Sequence, residues 1–251
     1  MAKPLVGVQL IVFGEQPNED LGAVLAAVAR AGYDGVEIGM PASQKQVDEM
    51  RMALSDSGLS LMGAHSGFVS WDDSDVVSQR ISAVKDLGGR FAISSGRFKT
   101  LEEYREAARL MNQVGKQCLD AGLIFCYHNH AWEFTEMQGE KPIHMLMTET
   151  DPRLVSLCPD VYWVDVGGEK PATFIARYQE RCPCFHFKDG LGGRQFREFR
   201  ELGQGNMDLP AALEAALACD PEWIVTEQDQ TKLEPAESVR ISREYLRRLG
   251  V

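Results

Sequence analysis

Short apolar runs alternate along this chain with longer segments in which apolar residues return every three or four positions. The runs are LVGVQLIVF (5–13), GVEIG (35–39), LSLMGA (59–64), RFAISS (90–95), LIFCYH (123–128), VYWVDV (161–166), CFHFK (184–188) and EWIVTE (222–227). Their length and their Val, Ile, Leu and Phe content predict strands. The segments between them predict helices. In 18–31, Leu21, Val24, Leu25, Val28 and Ala29 follow the 3.6-residue period. Gly32 then stands where a glycine ends a helix. Thr100 and Glu103 form a capping box at the start of 100–121, which closes at Gly122. Segments 41–57 and 73–87 end at Gly58 and at Gly88-Gly89, and a last helix is predicted over 235–249.

Eight strands alternating with helices in 251 residues predict a parallel sheet. That count at that length fits a single-domain α/β (β/α)8 TIM barrel spanning 1–251. A doubly wound open sheet would want a glycine-rich phosphate turn after its first strand, and FGEQPNED has no GxGxxG. No linker-like or low-complexity stretch divides the chain. The one irregular region, DGLGGRQFREFRELGQGNMD (189–208), is long and glycine-rich, as functional loops often are.

Composition narrows the partners. Apolar residues make up 44%, enough for a sizeable core. The formal net charge of −11 disfavours nucleic acid as a partner. No apolar run approaches the roughly 20 residues of a membrane span. The start of the chain reads as a buried strand and not as a signal peptide. Six cysteines without CxxC pairing argue against a disulfide framework and suit a reducing cytoplasm. Cys182 and Cys184 form a CPC pair that reads as ordinary thiols near a strand.

In a barrel of this kind the chemistry stands at the C-terminal ends of the strands. His65 follows the third strand. The stretch CYHNHAWEF places His128, His130 and Glu133 at the end of the fifth. Asp165 ends the sixth, His186 and Lys188 lie on the seventh, and Glu227 ends the eighth. Four of the five histidines therefore share one face, and His144, in a predicted helix, reads as packing or surface. Each residue alone has an ordinary explanation: a hydrogen-bonded histidine, a turn-capping aspartate, a surface Lys-Asp pair. Together they strain it. Residues two apart on a strand share a face, so His128 and His130 can enter one barrel mouth. Charges at the ends of apolar runs are costly unless compensated, and a divalent cation compensates several carboxylates at once. Glu133, Asp165, His186 and Glu227 make a candidate set of three carboxylates and one imidazole. That mix suits Mn²⁺, Mg²⁺ or Co²⁺, and also Zn²⁺ or Fe²⁺. A structural zinc would want cysteine ligands, which this set lacks.

The motifs GYDGVEI, YHNHAWEF, VDVGG, HFKDG, ELGQGNMD and TEQD resemble those of the sugar phosphate isomerase/epimerase family of xylose isomerase-like TIM barrels. Ketose 3-epimerases, inosose dehydratase and hydroxypyruvate isomerase are relatives in that group. The resemblance covers nearly the whole chain. It implies one divalent metal, Mn²⁺ first, held by Glu133, Asp165, His186 and Glu227. It also implies a Lewis-acid route through an enediolate, with Glu133 and Glu227 as base and acid on opposite faces. Lys188 and His65 would hydrogen-bond substrate oxygens, and Trp132 would wall the sugar. His128 and His130 would bind substrate or move protons, and Glu37 would hold a hydroxyl or a neighbouring base. Epimerisation and isomerisation share the enediolate, and so does dehydration or β-elimination on a keto-inositol or 3-keto-sugar. A non-catalytic sugar-binding barrel and an endonuclease IV-like DNA repair enzyme are the other readings, and scarce histidines and acidic charge disfavour the second. Arg97 reads either as a surface charge or as a partner for a substrate phosphate or carboxylate. Without a clear phosphate-binding run, an unphosphorylated sugar or polyol is at least as good a substrate. Barrels of this group often form homo-oligomers.

Overall fold

The computed structural model describes residues 3–191 and 198–251, so part of the 189–208 loop lies outside the described residues. Eight parallel strands are β1 (Leu5–Gln9), β2 (Gly35–Gly39), β3 (Ser60–Gly67), β4 (Phe91–Ser95), β5 (Ile124–His128), β6 (Val155–Cys158), β7 (Cys184–Phe187) and, after a short antiparallel pair of β8 (Asp189–Leu191) with β9 (Glu198–Arg200), β10 (Trp223–Thr226). Their order is β6-β5-β4-β3-β2-β1-β10-β7. The remaining seam, β7 against β6, is narrow. A parallel bridge joins Asp160 to His186, and the His186 N–H donates to the Pro159 carbonyl at 2.9 Å. The result is a nearly closed (β/α)8 TIM barrel in one domain. No helix among the described residues is long and apolar enough to cross a membrane.

Local signals explain most elements. Helices Gln44–Ser57 and Leu101–Asp120 start at Ser43 and Thr100, whose hydroxyls accept from Gln46 N and Glu103 N. Helix Leu21–Ala31 starts at Asp20 and ends at Gly32 with φ 82°, a left-handed turn that suits glycine. Two expectations fail. The first run stops being a strand at Gln9, whose side chain accepts from the Ile11 N–H at 2.6 Å and turns Leu10–Phe13 into a 3-10 helix. The run 161–166 is not a strand. Val161–Val166 is a helix with Asp160 as its N-cap, the Asp160 carboxylate accepting from Trp163 N at 3.0 Å. Its residues Val161, Tyr162, Trp163 and Val164 are all buried, so the periodicity that marks a half-exposed helix is missing. The sixth strand is the shorter Val155–Cys158 just upstream.

Two cores flank the sheet. Met62, Phe91, Ile93, Cys126, Cys158, Cys184, Trp223 and Val225 fill the barrel, and a larger apolar layer packs between strands and helices. Gly35 makes room for the barrel's tryptophan. A Cβ there would sit 2.8 Å from the Trp223 ring and 2.3 Å from the Ser60 carbonyl oxygen.

Candidate metal centre at the barrel mouth

The strand ends deliver polar side chains into an apolar barrel. Glu37 comes from β2, His65 from β3, His128 from β5 and His186 from β7. Asp160, Lys188 and Glu227 leave β6, β7 and β10. Glu37, His128, Asp160, His186 and Lys188 are fully buried, and Glu227 is 7% exposed.

His186 is the hub. Its Nε2 lies 2.6 Å from Glu37 Oε2, and its Nδ1 pairs with Glu227 Oε2. Burial opposes a charge on His186, but Glu37 and Glu227 hold its pKa well above the usual range. Burial likewise opposes the charge on Glu227, yet Lys188 and His186 hold that carboxyl well below its range. The Lys188 Nζ sits 3.4 Å from Asp160 Oδ2, 3.3 Å from Glu227 Oε1 and 3.2 Å from Asp229 Oδ2. It also lies 5.0 Å from the centre of the Trp163 ring. Burial pushes Asp160 up to about 6, with Lys188 pulling against it. His65 Nε2 bonds Ser95 Oγ at 3.1 Å, and its Nδ1 stands 3.6 Å from Glu37 Oε1.

His128 differs from the rest. Its ring packs 4.6 Å from His186 and 5.0 Å from His65, centre to centre. Neither of its ring nitrogens has a hydrogen-bond partner among the described residues. Burial and the His186 charge push its pKa well below the usual value, so it is neutral with a lone pair to give. An orphaned buried imidazole is costly. A cation would answer it, because one donor atom each from His128, Asp160, His186 and Glu227 lies within 4.8 Å of the others. Charge agrees. A metal would need both imidazoles neutral; four carboxylates (Glu37, Asp160, Glu227 and Asp229) then face one ammonium (Lys188), and a divalent ion offsets two of the three remaining negative charges. The residues present therefore fit a divalent metal with mixed oxygen and nitrogen donors.

A profile of the xylose isomerase-like TIM barrel family matches residues 25–249. The chain belongs to that family. Among curated proteins it is similar to the inosose dehydratase of Lacticaseibacillus casei, 29% identical over 189 residues that cover 68% of this chain. The match spans 63% of that relative's length, just under two thirds. Among solved structures it is similar to a sugar phosphate isomerase/epimerase from Parabacteroides distasonis, with TM-score 0.83, 20% identity and coverage of 98% of this chain and 94% of the other. It is also similar to an IOLI protein solved with a zinc atom, with TM-score 0.74, 13% identity and coverage of 98% and 97%.

This xylose isomerase-like barrel gathers Glu37, His65, His128, His186, Lys188 and Glu227 at its mouth. Two residues expected as metal ligands lie elsewhere. Asp165 is exposed on helix Val161–Val166, because the strand it was to end is a helix. Asp160, at the true exit of β6, stands among the donors in its place. The Cys-Pro-Asp sequence closing the apolar run VSLC was the available signal. Glu133 lies in a 3-10 turn, Trp132–Phe134, that bends it out of the mouth. Its carboxyl meets the Tyr127 hydroxyl at 2.8 Å and accepts from the His130 N–H at 2.9 Å. Burial raises its pKa to about 8. His128, from the fifth strand, stands with the donor atoms of Asp160, His186 and Glu227 instead.

His130 lines the cavity with its ring stacked on Trp132, 4.0 Å apart and 10° from parallel, so Trp132 backs His130. The open cavity measures about 1260 Å³ and also takes in His65, Glu227 and Asp229. Arg97 is exposed, and its guanidinium lies 5.4 Å from the centre of the Trp132 ring. His144, read as packing, bonds Tyr178 at 2.7 Å and Glu169 at 2.9 Å outside the barrel.

Proposed function

We propose that this protein is a divalent-cation-dependent enzyme that removes a proton beside the carbonyl of a neutral keto-sugar or keto-polyol, giving an epimer or isomer. The observation that carries this reading is the buried donor set His128, Asp160, His186 and Glu227, with the His128 nitrogens unsatisfied. When bound, a divalent cation supplies Lewis-acid polarisation of a carbonyl and balances the charge of the enediolate. Mn²⁺ suits the donors first, and Mg²⁺, Co²⁺, Zn²⁺ and Fe²⁺ are compatible with them. The zinc atom solved with the IOLI neighbour supports metal binding by a barrel of this fold.

The chain's own groups divide the remaining work. Glu227 is the carboxylate that both lines the cavity and keeps a depressed pKa, so it is ionised and placed to take the proton. His65 and His130 line the cavity too, and they hold hydroxyls or return a proton. Lys188 is a fixed positive charge beside Asp160 and Glu227 and opposes the negative charge that develops on substrate oxygens. Phosphate is not favoured. The cavity lining carries Glu19, Glu49, Asp56, Glu227 and Asp229 against Lys45. An unphosphorylated substrate avoids that repulsion.

Dehydration is the second reading, favoured by similarity to an inosose dehydratase. The same carbanion loses a hydroxyl at the next carbon when the substrate is a keto-inositol. Proton NMR in deuterated water separates the two readings. The Mn²⁺-loaded protein is incubated with neutral ketohexoses and keto-inositols. Deuterium incorporation beside the carbonyl marks epimerisation or isomerisation, and loss of water with a new alkene signal marks dehydration. Glu227→Gln is expected to lower turnover by about 10²-fold or more. Wild-type turnover in that variant would overturn the assignment of Glu227.

A further inference from the structure

One layer below the mouth the barrel carries three thiols. Cys126, Cys158 and Cys184 stand two residues before His128, Asp160 and His186, on β5, β6 and β7. β5 and β6 are paired strands, and the Asp160–His186 bridge joins β6 to β7. A spacing of two keeps each cysteine on the same inward face as the residue above it. All three are fully buried, and the Cys184 thiol is within hydrogen-bonding reach of both others. Cys158 pairs in register with His128. One donor atom each from His128, Cys158 and His186 lies within 4.8 Å of the others. The unpartnered ring nitrogens of His128 belong to this lower group as much as to the upper one.

We propose that Cys158 Sγ, His128 and His186 form a second cation position that takes thiophilic divalent ions of the zinc and cadmium kind. It shares both histidines with the upper set, so one ion at a time occupies the pair of positions. Hard ions such as Mn²⁺ stay with Asp160 and Glu227, while soft ions move down onto the thiolate. Binding releases one proton from Cys158 and one from His186 to solvent through the mouth, since the thiolate and the neutral imidazole are the ligand forms. A zinc or cadmium ion in the lower position stands deeper than the groups that face substrate. The device therefore ranks metals by softness and leaves the mouth to hard ions. The proposal rests on the mouth being a metal centre only through the shared histidines.

X-ray absorption at the zinc edge of the wild-type protein loaded with one Zn²⁺ per chain decides it. The expected spectrum contains one sulfur at about 2.3 Å. A first shell of nitrogen and oxygen alone overturns the proposal and needs no variant. Cys158→Ser is expected to lose the sulfur signal, and Cys219→Ser, which removes a partly exposed thiol outside the barrel, is expected to keep it. A sulfur signal that persists in Cys158→Ser overturns the assignment. Mn²⁺ titration followed by electron paramagnetic resonance tests the upper set separately. Wild type and Cys158→Ser are expected to bind Mn²⁺ alike, and Asp160→Asn to bind it more weakly while keeping the zinc–sulfur signal. Failure of Mn²⁺ to bind wild type would count against the proposed mouth centre and leave the sulfur result standing.

Discussion

Tyr127 has one hydroxyl hydrogen and two neighbours that want it. Its oxygen lies 3.1 Å from the Gly96 carbonyl oxygen and 2.8 Å from Glu133 Oε1. The carbonyl can only accept, so both bonds are made when Tyr127 donates to Gly96 and a protonated Glu133 donates to Tyr127. Burial, which raises Glu133 from the usual 4.5 to about 8, supplies that proton at neutral pH. The folded state holds this proton more tightly than the unfolded chain, so the contribution is fullest below about 4.5 and declines as pH rises through about 8. Glu133→Gln imitates the protonated form and should remove the decline. Melting temperatures of wild type and variant, measured across that window, should diverge as pH rises, with wild type falling faster; parallel curves would refute the protonated carboxyl. The same geometry separates the ligands. Metal content by mass spectrometry should stay near about one divalent ion per chain in Glu133→Gln and in Asp165→Asn and fall in Asp160→Asn. Loss in Asp165→Asn with retention in Asp160→Asn would reverse the assignment.

At the scale of elements, Asp189 accounts for the HFKDG and ELGQGNMD motifs without any chemistry of its own. Its Oδ1 accepts from Gly190 N and Met207 N, and its Oδ2 from Gly203 N and Gly205 N, at 2.8 to 3.2 Å. Gly205 is needed because a Cβ there would stand 2.0 Å from Asp189 Oδ1. One carboxylate thus pins the 203–207 chain against β8, beside Lys188. Asp189→Ala leaves four amides without their acceptor. A loss of about 3 kcal/mol or more in urea unfolding is expected, since a hydrogen bond to a charged group contributes about 1.5–3 kcal/mol and the four are not additive. A change under about 0.5 kcal/mol would show that water replaces the carboxylate. Elements with caps and clear periods were legible in the amino-acid pattern. Thr100, Gly58 and Gly88 mark helix ends to within a residue, and His186 and Glu227 stand on β7 and just after β10, where the apolar runs put them. The sixth strand was not legible. Val155–Cys158 is only four residues, and the buried helix after it is the more apolar run. The aspartate was lost with the strand, because a strand-end residue inherits any error in the strand. Glu133 was misplaced for a related reason. The period of two stops at His128, and a 3-10 turn then sets the directions of the side chains.

For the whole molecule, the barrel's weakest join and its candidate metal centre coincide. β1 pairs with β10 over four residues and β5 with β6 over four, whereas among the described residues a single bridge, Asp160–His186, joins the exit of β6 to β7. His128, Asp160, His186 and Glu227 come from β5, the exit of β6, β7 and the exit of β10, four neighbours around the barrel with the seam in their middle. An ion held by these four residues would fasten the seam from both sides. At a free concentration of 100 times its dissociation constant, a ligand that binds only the folded state stabilises it by about 2.7 kcal/mol. In a chain of this size that corresponds to a melting shift of roughly 5–10 °C. A global shift alone would not locate the effect. Hydrogen exchange with and without Mn²⁺ does so, because protection should rise most in peptides covering 155–160 and 184–188 and least in those covering β2 and β3. The amide of His186 is the most informative, since its N–H crosses the seam to Pro159. If protection rose evenly around the barrel, the ion would be stabilising the fold through mass action alone and the seam would be closed without it. If the gain concentrated at β6 and β7, metal loading and barrel closure would be one event, and removing the ion with a chelator would open the mouth at the strands that carry the ligands.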